Sequence, residues 1–373
     1  MLHLDPVTVE EVRRLDAERG APCVSLYMPT QPATIPSWRE DTLAFRELRR
    51  DTARRLEEAQ ADKRAAAAID ERLSALEDDP EFWRYMAHGL AVFATPDAVR
   101  TFRLPMQVGR RVEISDRFHV KPLAPILARP HDAYVLEMSQ KRVRLLAVTE
   151  GDVSEVDVPD LPRSLDDFIT SERTPEITDM AETQQSAEKK MRQEQFAHGI
   201  ERALRPFLQN KSTPLVVAGV DTITTFFRHA THYPHLTKET ISGNQEHTHD
   251  QEIAERARAI VASHEKERVE ALIARAEALR NENRGSFDIS EIARAAEEGR
   301  VEALVVCLDE AVYGTLEAGI GSFVPGAEAS ATTYDVLDEL VGRTLRTGGT
   351  ALAAPRGDLR EGVKAAAVFR YAA

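Results

Sequence analysis

Two groups of residues have the types and spacing for chemistry. His229, His232 and His235 recur at every third position, and His247 and His249 follow a little downstream. Imidazoles that close can hold Zn²⁺. Pro234, however, breaks any helix that would align the first three, and no cysteine lies nearby. Surface-loop histidines are the plainer reading, and no stoichiometric zinc and no other cofactor is expected. The second group is basic: Lys189, Lys190 and Arg192, then Arg202 and Arg205. Such side chains suit phosphate contact with RNA. They equally suit a solvated helix face, since Lys190 and Glu194 stand at the i,i+4 spacing of an ion pair.

Other patterns carry less. Gly319 and Gly321, with Gly326 beyond, do not complete a dinucleotide fingerprint. There is no phosphate-loop motif and no GxSxG elbow. Asp166, Asp167 and Glu182 read as solvated loop carboxylates rather than an acid–base pair.

The basic group must be positioned by the stretch from Ser171 to Asn210. It opens polar and acidic with Pro175, a composition that buries little, so a mobile loop is expected to about Gln184. From Thr183 to Ser186 a helical pattern begins. Met191, Phe196, Ile200, Ala203, Leu204, Phe207 and Leu208 form its apolar stripe. The expected device is a loop feeding a helix anchored along one face.

Around it, 373 residues allow two or three domains. Hydrophobic content of 42% with 29% charged residues reads as soluble and globular. Net charge is 48 − 62 = −14, so the molecule as a whole does not attract nucleic acid non-specifically and RNA contact requires a local patch. Cys23 and Cys307 sit in apolar runs, as buried thiols do. The start MLHLDPVTVEE lacks a basic end before an apolar core, so no signal peptide is expected. No apolar run reaches the roughly 20 residues of a membrane helix. A cytoplasmic protein is expected.

Three α/β domains in series are expected, at 1–128, 129–262 and 263–373. In the first, Cys23 to Met28 reads as a buried strand, and Arg39 to Leu76 as helix broken near Asp62. KPLAPILARP, Lys121 to Pro130, reads as a domain exit. The middle domain opens with a meander over Tyr134 to Leu136, Val143 to Val148 and Val153 to Val158. Its later elements are a strand at Leu215 to Gly219, a helix from Asp221 and a closing charged helix to about Ala262. In the last, Asp288 to Glu291 has capping-box spacing, and Gly299 suits a left-handed helix stop. Val301 to Leu308 and Val363 to Tyr371 read as strands, Tyr334 to Leu345 as a helix, and Tyr313 to Ala331 as a loop. This alternation argues for an α/β sandwich.

GRVEALVV (Gly299 to Val306), RTGGTALAAP (Arg346 to Pro355) and VKAAAVFRY (Val363 to Tyr371) resemble the third domain of the archaeo-eukaryotic peptide-release factor and Pelota family. VSLYMPT (Val24 to Thr30), FWRYMAHGLAVF (Phe82 to Phe93), RLP (Arg103 to Pro105) and RFHVKPL (Arg117 to Leu123) resemble its bacterial branch. The resemblance implies three α/β domains ending in a ribosomal-protein-like sandwich, and work in the ribosomal A site. It implies contact with rRNA and the tRNA acceptor end, and recruitment of a translational GTPase by the third domain. In this family a GGQ tripeptide carries a glutamine that helps water attack the peptidyl-tRNA ester. Here the matching position reads Thr183-Gln184-Gln185, so Gln185 stands for that glutamine and both glycines are replaced. Thr and Gln resist backbone angles that glycine allows. Two readings follow: a rescue or hibernation factor without efficient hydrolysis, or a peptidyl-tRNA hydrolase acting through Gln185.

Overall fold

The computed structural model describes residues 4–20, 22–32, 38–128, 133–149, 152–171, 182–317, 322–326 and 333–372. It is α/β throughout, in two compact units: residues 1–130 with 266–373, and residues 131–265. Of the segments expected as separate domains, the first and last share one core.

The first segment carries α1 (Val9–Ala17), β1 (Cys23–Pro29), α2 (Trp38–Glu58), α3 (Lys63–Glu77), α4 (Pro80–Arg84), β2 (Gly89–Ala94), β3 (Val99–Leu104), β4 (Arg111–Ser115) and α5 (Ala124–Ala128). Asp62 breaks the long helical stretch by capping α3, accepting from the amides of Arg64 and Ala65. The strands form an antiparallel sheet in the order β3-β2-β1-β4. One face, with Val24, Leu26, Leu90 and Val92, packs on Phe45, Leu48, Ile69 and Leu73 of α2 and α3.

The middle segment carries β5 (Ala133–Met138), β6 (Val143–Thr149), β7 (Asp152–Val156), α6 (Leu165–Ser171), α7 (Glu182–Leu208), β8 (Leu215–Gly219), α8 (Asp221–Ala230), β9 (Leu236–Ser242) and α9 (Asp250–Ala278). Its sheet has the order β7-β6-β5-β8-β9, with β5, β8 and β9 mutually parallel. Alternation along β5 decides the layers. Tyr134, Leu136 and Met138 face α7 and α8, whereas Ala133 and Val135 face Ile253, Ala254, Ala257 and Val261 of α9. The expected helix end near Ala262 is corrected: α9 continues to Ala278, and its later residues Val269, Ile273 and Ala276 join the other unit's core. Strand β9 has no counterpart in the sequence reading.

The last segment adds β10 (Gly285–Ser286), α10 (Ile289–Glu297), β11 (Val301–Cys307), β12 (Tyr313–Leu316), β13 (Phe323–Pro325), β14 (Tyr334–Asp335), α11 (Val336–Arg346), β15 (Thr350–Ala354) and β16 (Ala365–Phe369). Its main sheet runs β10-β16-β11-β15. The stretch read as a loop from Tyr313 instead pairs as a small sheet, β13-β12-β14. Asp288 caps α10 through the amide of Glu291, and Gly299 takes the left-handed angle at φ +69°. The capping box is only half made, because the Glu291 side chain accepts from Ser286 Oγ instead.

The shared core has a physical cause. The second face of the first sheet is also apolar, with Tyr27, Ala91, Phe93, Phe102 and Leu104, and it needs cover. Leu337, Leu340 and Val341 of α11 belong to the same core. Around them lies a charged clamp. Lys121, fully buried, places Nζ 2.6 Å from Asp335 Oδ2 and 2.7 Å from the Glu310 carbonyl. The Val120 amide donates to Asp338 at 2.7 Å, and the Lys121 amide donates to the same oxygen. Arg117 pairs with Glu339 at 2.5 Å and lies 3.8 Å over the Tyr334 ring. Arg346 reaches Asp16 at 2.8 Å.

Gly342 lets α1 approach α11: an added Cβ would lie 2.1 Å from Asp16 Oδ1. Gly342→Ala is therefore expected to cost about 1–3 kcal/mol in a chemical-unfolding measurement. Burial, then the charges of Lys121 and Arg111, hold His119 well below the ordinary histidine pKa. Its imidazole is expected to stay neutral as the pH falls through about 6.5, the ordinary histidine value, with no titration step there in an NMR measurement.

Candidate RNA-contact helix

Helix α7 holds every basic residue singled out in the sequence. Phe196, Ile200, Leu204 and Leu208 are buried against the middle sheet, with Ala203 and Phe207 half-buried. Gln193 and Ala197 join the buried side, and Met191, expected on the stripe, is 52% exposed. Gly199 seats the Phe168 ring of α6, since a Cβ there would lie 2.4 Å from Cε2. Pro206 stands in the last turn, and Asn210 ends the run in the left-handed region at φ +63°.

The charged residues fall at several positions around the helix. Lys189 and Lys190 are exposed and make no ion pair among the described residues. Arg192 is half-buried and pairs with Glu188 at 2.6 Å. Arg202 is exposed. Arg205, 70% exposed, holds buried Glu201 through two bonds of 3.0 and 2.7 Å. Arg192 and Arg205 thus have carboxylate partners one helical turn away. Their charge is partly compensated, and a phosphate would compete with those carboxylates.

The backbone of Thr183, Gln184, Gln185 and Ser186 lies in the first turns of α7. Side chains of residues 182–187 lie outside the described set, as do residues 172–181 of the expected loop. Gly319 and Gly321 lie outside it too.

One cation escaped the sequence reading. Lys211 places Nζ 3.3 Å from the centre of the Phe207 ring and 3.3 Å from Tyr134 Oη, and burial lowers its pKa. Phe207 and Lys211 are four positions apart, but the helix ends between them, so periodicity gave no signal for this contact. Nearby, burial and then Tyr134 push the Tyr233 hydroxyl up to about 12, and it donates to the Thr213 carbonyl at 2.7 Å.

The histidines are dispersed by the fold. His229 is in the last turn of α8, while His232 and His235 follow it, the latter against the Tyr233 ring at 5.6 Å. His247 and His249 lie between β9 and α9. Among the described residues, no group of three or more His, Cys, Asp or Glu is arranged to hold a metal ion.

Residues 134–300 match the model of bacterial archaeo-eukaryotic release factor family 3. The match to this release-factor family runs from β5 through α10 and so contains all of α7. No curated protein matches the chain. Among solved structures, an archaeal translation termination factor, aRF1, is 15% identical over 98% of this chain and 99% of that chain, with a TM-score of 0.23. A chain from a model of ribosome-bound archaeal Pelota and ABCE1 is 13% identical over 76% and 78%, with a TM-score of 0.43. S. cerevisiae Dom34, described as a termination-like factor in RNA quality control that interacts with Hbs1, is 11% identical over 77% and 74%, with a TM-score of 0.39.

Proposed function

We propose that this chain is a ribosome-associated, release-factor-like translation factor that occupies the A site of stalled or idle ribosomes without efficient hydrolysis. The observation that carries the reading is the release-factor family match across α7, on which Lys189 and Lys190 stand exposed. In this reading α7 lays its basic side on rRNA, with Gln185 toward the tRNA acceptor end. The middle domain, near residues 129–262, presents that helix. The segment from 263 onward recruits a translational GTPase. The protein works in the cytoplasm, and no helix among the described residues is long and apolar enough to cross a membrane.

The binding test is co-sedimentation with 70S ribosomes. Lys189, Lys190 and Arg192 changed together to Glu should abolish pelleting, and added salt should weaken wild-type binding steeply. Each phosphate neutralised releases counterions, so affinity falls as a power of salt concentration despite the net charge of −14. Pelleting unchanged in the triple variant would sink the assignment of α7.

A further inference from the structure

We propose that a cavity in the last segment, between the turn after α9, the start of α10 and β16, binds one nucleotide of single-stranded RNA. The cavity measures about 520 Å³, within the range of small-ligand sites. Arg280 from the turn after α9, Arg294 from α10 and Arg300 from just before β11 line it, together with Phe369, Asp288 and Glu291. Arg280 is exposed and makes no ion pair among the described residues. Arg300 is buried, pairs with Glu298 at 2.5 Å and lies 5.4 Å over the Phe369 ring, so a planar cation and an aromatic face are held together. The site is built rather than incidental. Gly285 brings the chain so close to α9 that a Cβ there would lie 1.9 Å from the Ala276 carbonyl oxygen.

This lining matches the parts of a nucleotide. Guanidinium groups suit a phosphate oxygen, planar groups suit a base face, and carboxylates accept from base amino groups. Asp288 is already bonded to the Glu291 amide and Glu291 to Ser286 Oγ, which fixes both acceptors in place. The same two carboxylates disfavour a free phosphate, which carries about two charges, over a phosphodiester, which carries one. The choice of RNA over free nucleotide rests on the ribosome-associated reading above. The site itself is separate from α7.

The test uses the intact chain carrying Lys189, Lys190 and Arg192 changed to Glu, so that α7 is silent. The probe is a fluorescein-labelled ten-nucleotide RNA of mixed sequence, followed by anisotropy, with inorganic phosphate and AMP as competitors. Arg280→Glu with Arg294→Glu should weaken binding at least tenfold and reduce the salt slope by about 0.7, the value for one phosphate contact on a single strand. Arg280→Lys should fall between. Neither competitor, at the concentration of RNA that saturates, should displace the probe. Unchanged affinity in the double Glu variant overturns the proposal, as does displacement by phosphate or AMP at that concentration. Loss of 70S pelleting by the otherwise wild-type Arg280→Glu/Arg294→Glu chain would add the ribosome as the source of this RNA. RNA binding at the cavity with no 70S pelleting by the wild type would sink the ribosomal reading and leave the site standing.

Discussion

Lys121→Met should destabilise the unit made of residues 1–130 and 266–373 by about 3–5 kcal/mol, because removing one partner of a buried ion pair leaves the other charged and unsolvated. Here the stranded group is Asp335, whose side chain is only 2% exposed, with the Glu310 carbonyl losing its donor as well. Hydrogen exchange on the intact chain reads this locally. Amides of β1 and of β11 should speed up together, since both strands lie over one core, while β5 and β8 of the middle unit keep their protection. The double change Lys121→Met with Asp335→Leu should recover much of the loss, as apolar replacements of buried pairs often do. A single variant within about 0.5 kcal/mol of wild type, the ordinary range for a surface change, would mean that the clamp contributes little.

The second large effect is on catalysis. Single-turnover release of labelled peptide from purified stalled ribosome complexes should be slow with the wild type. Gln185→Ala should change neither release nor pelleting appreciably. An amide helps water attack an ester only when it is held within hydrogen-bond reach, and a misplacement of about 1 Å costs on the order of a hundredfold in rate. Thr183 and Gln184 stand where the resembling family has two glycines, and their backbone is already helical in α7. Side chains at these positions oppose the close approach that glycine permits. Fast release that is lost in Gln185→Ala would promote the hydrolase reading over the non-catalytic one.

The sequence by itself determined the local elements wherever one residue or a short period decides them. Asp62 stops α2 from running into α3, Asp288 starts α10, Gly299 ends it, and the apolar run at Leu215 to Gly219 is β8. It also determined which side of α7 is anchored, apart from Met191. Strands β12 and β13 were not legible, because such short runs are strands only by pairing with each other and with Tyr334 and Asp335. Only the tertiary structure decided which apolar faces meet. A period of two shows that the first sheet has a second apolar face, but not that residues some two hundred positions later cover it. For the same reason RFHVKPL was legible as a resemblance and not as a clamp. Arg117 and Lys121 find Glu339 and Asp335 only when α11 packs against the first sheet. On α7 the five cations look alike in sequence, yet Glu188 and Glu201 hold Arg192 and Arg205 while Lys189 and Lys190 face solvent with no ion pair among the described residues. The i,i+4 spacing permits such pairs at several positions, and rotamer choice in the packed helix selects among them.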